Sequence, residues 1–274
     1  GYSVMGLIVY LVSILALFGL YIGALRTLAN MESKGENVTK VMLGVSFLAL
    51  ILVFSYPQTA IDLFVYALRT RGWVLYDLLP FSVAPEMMPA SDPWLGLAGE
   101  WADAASPYGP VWEWLSLGAY HLSGGGYLAH LFSLKILALL AYVGSVWLVY
   151  RILVLIRPRW ASLGSAFFAW NPLVLLESVQ NAHNDIIMVF FLLAAIWAFT
   201  KLVTGEQNRL RALPELLFAL AFAAAILVKF IPVVVLPFFL LALAWQQPTW
   251  PRRIGAFASR GVIIMLIVIL VMMP

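Results

Sequence analysis

Leu213–Trp245 reads LPELLFALAFAAAILVKFIPVVVLPFFLLALAW, and the way this stretch crosses or re-enters a bilayer decides the topology of the whole chain. Apart from Glu215 near its start and Lys229 in its middle, it carries no charge. As one long helix it would put Arg209 and Arg211 on the opposite side from Arg252 and Arg253. Lys229 would then lie near the bilayer midplane, at a cost of about 2.5–3.5 kcal/mol on insertion scales. A hairpin broken at Lys229-Phe230-Ile231-Pro232 avoids both problems, because Pro232 lacks the N–H that a continuing helix needs. The hairpin is the expected form.

The rest of the chain has the same solvent. Its residues are 64% hydrophobic and only 11% charged, against about a quarter charged in soluble domains, so lipid surrounds most of it. A crossing helix needs about 20 apolar residues. Val4–Leu25 and Leu131–Tyr150 meet this directly. Val41–Tyr56, Ala161–Leu176, Ile186–Phe199, Leu216–Val228, Pro232–Trp245 and Val262–Met273 are shorter candidates, which makes about eight membrane segments. The first run has no charged region before it and Arg26 directly after it, so it reads as an anchor and not as a cleaved signal. The expected fold class is all-α: a polytopic integral membrane protein forming one transmembrane domain over residues 1–274. The chain stops inside an apolar run at Pro274 and is expected to continue past it. With no cysteine, disulfides and thiolate metal sites are excluded.

Lys and Arg in short loops stay on the cytoplasmic side. Arg26, Lys34 and Lys40 follow the first segment, Arg151, Arg157 and Arg159 the third, Lys201, Arg209 and Arg211 the fifth, and Arg252, Arg253 and Arg260 the seventh. These four clusters hold 12 of the 16 basic residues, and an eight-segment count puts them all on one side. The other side receives the long loop 57–128, the connection Glu177–Asp185 and the tip around Lys229. Nine of the 13 acidic residues fall there.

The loop 57–128 is too long for a simple connector. Thr59–Thr70 is expected to be a short surface helix with Asp62, Tyr66 and Arg69 on one face. A carboxylate beside a phenol and a guanidinium suits a general base; a surface ion pair beside an interfacial tyrosine is the alternative. Ser106-Pro107-Tyr108-Gly109-Pro110 forces a turn, and Val111–Leu122 reads as a second surface helix. Trp73, Tyr76, Trp94, Trp101, Tyr108, Trp112, Trp114 and Tyr120 suit stacking on sugar rings, or an aromatic belt at the interface. Past Trp170-Asn171-Pro172, the groups Glu177, Gln180, Asn181, His183, Asn184 and Asp185 form a run that binds hydroxyls. His183 and Asp185 at i, i+2 are a weak metal pair, and no metal site is expected. Lys229 is a cation held away from the basic side, which suits an anionic headgroup, while Lys135 reads as a snorkelling lysine. No phosphate-binding glycine loop is present, and the spans hold no ladder of acids such as a pump would need.

In this order, Tyr56-Pro57-Gln58-Thr59-Ala60-Ile61-Asp62-Leu63-Phe64-Val65-Tyr66, Pro107-Tyr108-Gly109-Pro110-Val111-Trp112, Trp170-Asn171-Pro172 with Glu177 and Asn181-Ala182-His183-Asn184-Asp185, and Lys229-Phe230-Ile231-Pro232 resemble GT-C type membrane glycosyltransferases. The likeness is greatest to the bacterial polyprenol-phosphate-mannose-dependent mannosyltransferases, and it covers roughly residues 40–245. It implies a GT-C fold in the bacterial plasma membrane with loop 57–128 extracytoplasmic. Asp62 maps onto the catalytic acid of that loop, with Lys229 and Arg69 as contacts for the donor phosphate. Tyr66, Tyr108, Glu177, Asn181, His183, Asn184 and Asp185 fall at substrate-binding positions. Many such enzymes carry two acids near the site, whereas this sequence offers one in the motif. The implied donor is a polyprenyl-phosphate sugar and the acceptor a hydroxyl of a glycan, lipid or protein, with no separate cofactor and no nucleic acid. A polyprenyl phosphate leaves without protonation, so one base and a cation suffice, unlike glycoside hydrolysis, and inversion at the sugar carbon is expected. Two rivals are a non-catalytic subunit of a membrane complex that retains the fold, and a lipid transporter.

Overall fold

A computed structural model describes residues 4–33, 47, 49–97, 99–205 and 212–273. Among these the chain is all-helical, without strands. Its helices are α1 Val4–Ser33, α2 Asp62–Tyr76, α3 Pro110–Leu122, α4 Tyr127–Ile156, α5 Ala161–Ala169, α6 Pro172–Leu175, α7 Asp185–Thr204, α8 Ala212–Val228, α9 Leu236–Trp245 and α10 Trp250–Met272. Four stretches are long and apolar enough to cross a membrane: Val4–Met31, Tyr127–Ile156, Asp185–Thr204 and Trp250–Met272. Ala212–Val228 and Ile231–Trp245 are shorter apolar helices. The expected segment Ala161–Leu176 is interrupted, since α5 ends at Ala169, Asn171 caps α6 through its side chain, and a π-turn follows over Leu176–Gln180. Of the expected segment Val41–Tyr56, residues 49–53 are helical, while 41–46 and 48 lie outside the described residues. Lys34, Lys40, Arg209 and Arg211, placed above on the basic side, also lie outside them.

The hairpin exists. If α8 ran on into α9, Phe222 and Phe239 would be about 25 Å apart at 1.5 Å per residue. Their ring centroids are 5.6 Å apart, and Phe239 also meets Phe218 at 6.5 Å and Phe199 of α7 at 5.0 Å. The chain turns over Phe230–Val235 around the 3-10 turn Ile231–Val234. Edge-on aromatic pairs of this kind contribute roughly 0.5–1.5 kcal/mol each beyond their burial. The α10 helix closes the pair, with Arg260 gripping Glu215 of α8 in a two-pronged ion pair of 2.9 and 2.6 Å.

At the centre α7 packs between α4 and α8. The approach of α4 to α7 requires Gly144, where a Cβ would come within 2.6 Å of the Phe190 ring. On the other flank α1 is tied on by Tyr21, whose hydroxyl donates to the Phe167 carbonyl at 2.6 Å.

Two expectations for the loop are corrected. The helix expected from Thr59 starts at Asp62, because the preceding backbone is satisfied from elsewhere. Asn181 Oδ1 accepts from the Gln58 N–H, Asn181 Nδ2 donates to Thr59 Oγ1, and Gln180 Nε2 donates to the Tyr56 carbonyl. With those partners the stretch has no need of a helical turn. Nor is α2 a surface helix. Leu63, Val65, Tyr66, Ala67, Leu68, Arg69 and Thr70 are all buried, and Thr70 Oγ1 meets Ser116 Oγ of α3 at 2.6 Å. The segment beyond α2 is clamped back onto it by Asp92, which accepts hydrogen bonds from Arg71 Nε, Tyr76 Oη and the Trp94 N–H. The Arg71 guanidinium lies 4.4 Å over the Trp94 ring. These contacts place the first turn of α2, the turn 104–109 and the connection 176–185 at one end of the bundle.

Candidate functional site

Asp62 occupies the first turn of α2, where the unpaired N–H groups of a helix favour a negative charge. One of its oxygens accepts a long hydrogen bond, 3.3 Å, from the Tyr108 hydroxyl, which in turn accepts from Tyr66 at 3.4 Å. Tyr66, Tyr108 and Trp112 pack edge-on, with centroids 4.7 to 6.4 Å apart. Burial, ahead of the nearby charge of Asp62, pushes the Tyr108 phenol up to about 12, while the bond from Tyr66 pulls the other way. Burial and Tyr108 raise Tyr66 well above its ordinary value. Both phenols therefore stay protonated as donors, and Asp62 remains 29% exposed in its side chain.

The opposite wall comes from residues 176–185. His183 Nε2 lies 3.9 Å from Asp62 Oδ2 and 3.4 Å from Glu177 Oε2, and its Nδ1 lies 3.8 Å from Asp185 Oδ2. These contacts are loose, and His183 Nε2 makes no hydrogen bond. Asn181 Nδ2 donates to Glu177 at 3.0 Å as well as to Thr59. The segment departs from regular backbone in two ways: the π-turn Leu176–Gln180 and a left-handed Ala182, φ 54°. Buried Asn184 leaves both side-chain polar atoms without a partner. Strain and unmet polar groups of this kind are retained where function needs them.

Lys229 completes the group at the tip of the α8–α9 hairpin. Its Nζ donates to Asp185 Oδ1 at 2.8 Å and lies 5.6 Å over the Tyr108 ring. The hairpin reaches the loop because the Gly109 N–H donates to the Val228 carbonyl at 3.1 Å, and at Gly109 a Cβ would stand 2.1 Å from the Leu227 oxygen.

The structure thus brings together Asp62, Tyr66, Tyr108, Glu177, Asn181, His183, Asp185 and Lys229, from four separate stretches of sequence. It revises the reading of a single acid, since Glu177 and Asp185 flank the imidazole that faces Asp62. Arg69 lines the cavity at Asp62; it is 6% exposed, and its Nη2 donates to the carbonyls of Ala104 and Ala105, so it also holds main chain. Sequence reasoning missed Glu113 and Ser106, which support Tyr108 from behind; the turn at Ser106–Pro110 is the signal that led nearest to them.

A cavity of about 200 Å³ opens at Asp62, lined by Val65, Arg69, Trp101, Pro107 and Tyr108 among others. A larger cavity lies elsewhere. An apolar groove of about 620 Å³ runs along α1 from Leu17 to Met31 against Ile51, Trp170 and Leu176. A smaller cavity of about 110 Å³, sharing Leu176, reaches Gln58, Thr59 and Glu177.

A family model described as alpha-(1->6)-mannopyranosyltransferase, N-terminal domain, of the MptA_B family, matches residues 2–245. No curated protein and no solved structure matches the chain. The chain belongs to the MptA_B family of GT-C type membrane mannosyltransferases and is, with them, a glycosyltransferase.

Proposed function

We propose that this mannosyltransferase takes its sugar from a polyprenyl-phosphate donor and inverts the sugar carbon, with Asp62 as the general base. The reading rests on one observation: an under-coordinated carboxylate, Asp62, and a cation, Lys229, from distant parts of the sequence both contact Tyr108. Asp62 removes the proton from the acceptor hydroxyl. The oxygen attacks the anomeric carbon, and the bond from that carbon to the phosphate oxygen breaks with its electron pair on the phosphate. Lys229 meets the charge that develops there, after giving up its bond to Asp185. A base positioned in this way contributes about 10²–10⁴-fold, and the cation acts electrostatically in a site partly shielded from water.

The apolar groove along α1 supports a lipid-borne donor, because a smaller cavity that shares Leu176 with it is lined by the polar residues Gln58, Thr59 and Glu177. Glu177, Asn181, His183 and Asp185 supply acceptors and donors for sugar hydroxyls, and Trp101 at the cavity rim offers a ring face. The family description names an alpha-(1->6) bond. Inversion to an alpha product requires a beta-linked donor, and the nucleophile is then the primary hydroxyl of an acceptor mannose. The site lies on the extracytoplasmic side if the basic clusters face the cytoplasm.

The test supplies purified full-length protein, in lipid nanodiscs, with radiolabelled polyprenyl-phosphate mannose or a nucleotide-linked mannose. Transfer from the lipid phosphate alone, giving an alpha product, is expected. Transfer from the nucleotide sugar with no lipid carrier present would remove the donor assignment, and retention of configuration would remove the single-base mechanism.

A further inference from the structure

Residues 104–109 carry Tyr108, whose side chain touches both the proposed base and the proposed cation. Nearly every residue of this turn is held. Arg69 Nη2 donates to the carbonyls of Ala104 and Ala105 at 3.0 and 3.2 Å. The Ser106 N–H donates to the Pro80 carbonyl, and the Ser106 hydroxyl donates to Glu113 Oε1 at 2.5 Å. The same hydroxyl oxygen accepts from the Tyr108 N–H at 3.3 Å. Gly109 is fastened to Val228.

Glu113 is the unusual member. It is only 2% exposed and among the described residues forms no ion pair. Arg69 from α2 is the charged group acting on it, while its one hydrogen-bond partner in the turn is Ser106. The Tyr108 and Tyr66 phenols and Asp62 also act on Arg69. A glutamate needed only to start α3 would serve as well in water, and burying it costs free energy that a solvated residue avoids. The sequence Tyr108 N–H to Ser106 hydroxyl to Glu113 is polarised toward a carboxylate acceptor, and an ionised acceptor makes the stronger hydrogen bond.

We propose that Glu113 is a positioning residue for the transfer reaction, holding Ser106 and through it the Tyr108 phenol on Asp62. This rests on the assignment of Asp62 as the base, because Tyr108 matters only if Asp62 does. Loss of a proton from Glu113 tightens its hold on Ser106 and draws the carboxylate toward Arg69, which from α2 holds the same turn. Gain of a proton slackens both. Burial, opposed by the bond from Ser106 and the charge of Arg69, pushes the Glu113 carboxyl up to about 7, so this change falls in the neutral range.

The experiment measures kcat and donor KM against pH for the full-length wild type, Glu113→Gln and Ser106→Ala, with Asp62→Asn alongside and thermal unfolding recorded for each. The wild-type kcat is expected to rise with pH through a midpoint near 7. Glu113→Gln should lose that midpoint and fall a few-fold in kcat, no more than loss of the single hydrogen bond it positions would cost, with donor KM nearly unchanged. Ser106→Ala, which cuts the link but leaves Glu113 in place, should also lose the midpoint. A folded Glu113→Gln with the wild-type pH profile would overturn the proposal. If Glu113→Gln does not fold, Ser106→Ala decides alone: a flattened profile supports the proposal and an unchanged one overturns it. Full turnover by Asp62→Asn would instead strike at the base assignment, whichever way the Glu113 result falls.

Discussion

Asp92 and Asp62 both belong to loop 57–128, and each has an arginine and tyrosines within reach, yet they are opposites. Asp92 has no exposed side-chain surface and accepts from Arg71 Nε at 2.8 Å, Tyr76 at 2.7 Å and the Trp94 N–H at 2.8 Å. Burial pushes its carboxyl up, but those hydrogen bonds outweigh it and hold the group below its ordinary value. Asp62 has one phenol at 3.3 Å and an imidazole at 3.9 Å, and solvent reaches it. A saturated carboxylate has no lone pair left for a substrate proton, so it fixes structure; an under-coordinated one retains that capacity. Composition and neighbours do not distinguish them, but coordination does.

The contrast can be broken most forcefully at Asp62. Asp62→Asn should lower mannosyl transfer by about 10²–10⁴-fold while thermal unfolding stays near wild type, because the lost contacts are long. A variant that unfolds early would show that Asp62 is also structural. Next in size is Asp92→Asn, which leaves Arg71 and Tyr76 facing a neutral amide and should cost roughly 2–3 kcal/mol of stability. Its activity per folded molecule should hold.

Glu113 stands between the two acids, buried like Asp92 but poorly compensated. Its folded pKa of about 7 lies above the ordinary 4.5, so between those values the folded state binds the extra proton. Its contribution to stability is therefore present below 4.5 and is lost as pH rises through 7, by about 3 kcal/mol in the limit. Glu113→Gln should remove that part of the pH dependence, seen as unfolding midpoints at mildly acidic and mildly alkaline pH drawing together. Equal slopes for wild type and variant would refute it. A smaller effect is expected at Lys229. Lys229→Ala should raise donor KM about tenfold, the scale of one charge-assisted contact, and leave the acceptor KM unchanged. Smallest of all is Tyr108→Phe, which removes one long hydrogen bond to Asp62 and should change kcat only a few-fold.

The topology was legible because two residues announce it. Lys229 is costly at mid-bilayer and Pro232 cannot continue a helix, and the Phe222–Phe239 contact confirms the turn between them. The convergence of Asp62 and Lys229 on one end follows from the same parity argument. The start of α2 was not legible, since the groups that satisfy residues 56–59 come from Asn181 and Gln180, more than 100 residues away. Its burial was missed for a related reason: residues 63–70 are apolar enough for a surface helix and also for a covered one. Glu177 and Asp185 were legible as hydroxyl-binding groups on the side of Asp62, whereas the imidazole of His183 between them and Asp62 is visible only in the fold. That Arg69 shares a face with Asp62 was legible from helical spacing, but its hold on the Ala104 and Ala105 carbonyls was not, because that turn has no local sequence relation to it. Glu113 had no signal beyond the neighbouring turn Ser106–Pro110, because a glutamate in the first turn of a helix ordinarily faces water.

One measurement bears most directly on the whole account: mannosyl transfer per folded molecule for the full-length wild type, Asp62→Asn and Asp92→Asn in one preparation, with lipid-phosphate mannose as donor. The account expects Asp92→Asn to work at close to the wild-type rate once its folded fraction is counted, and Asp62→Asn to lose at least about 100-fold. Wild-type turnover by folded Asp62→Asn would contradict it.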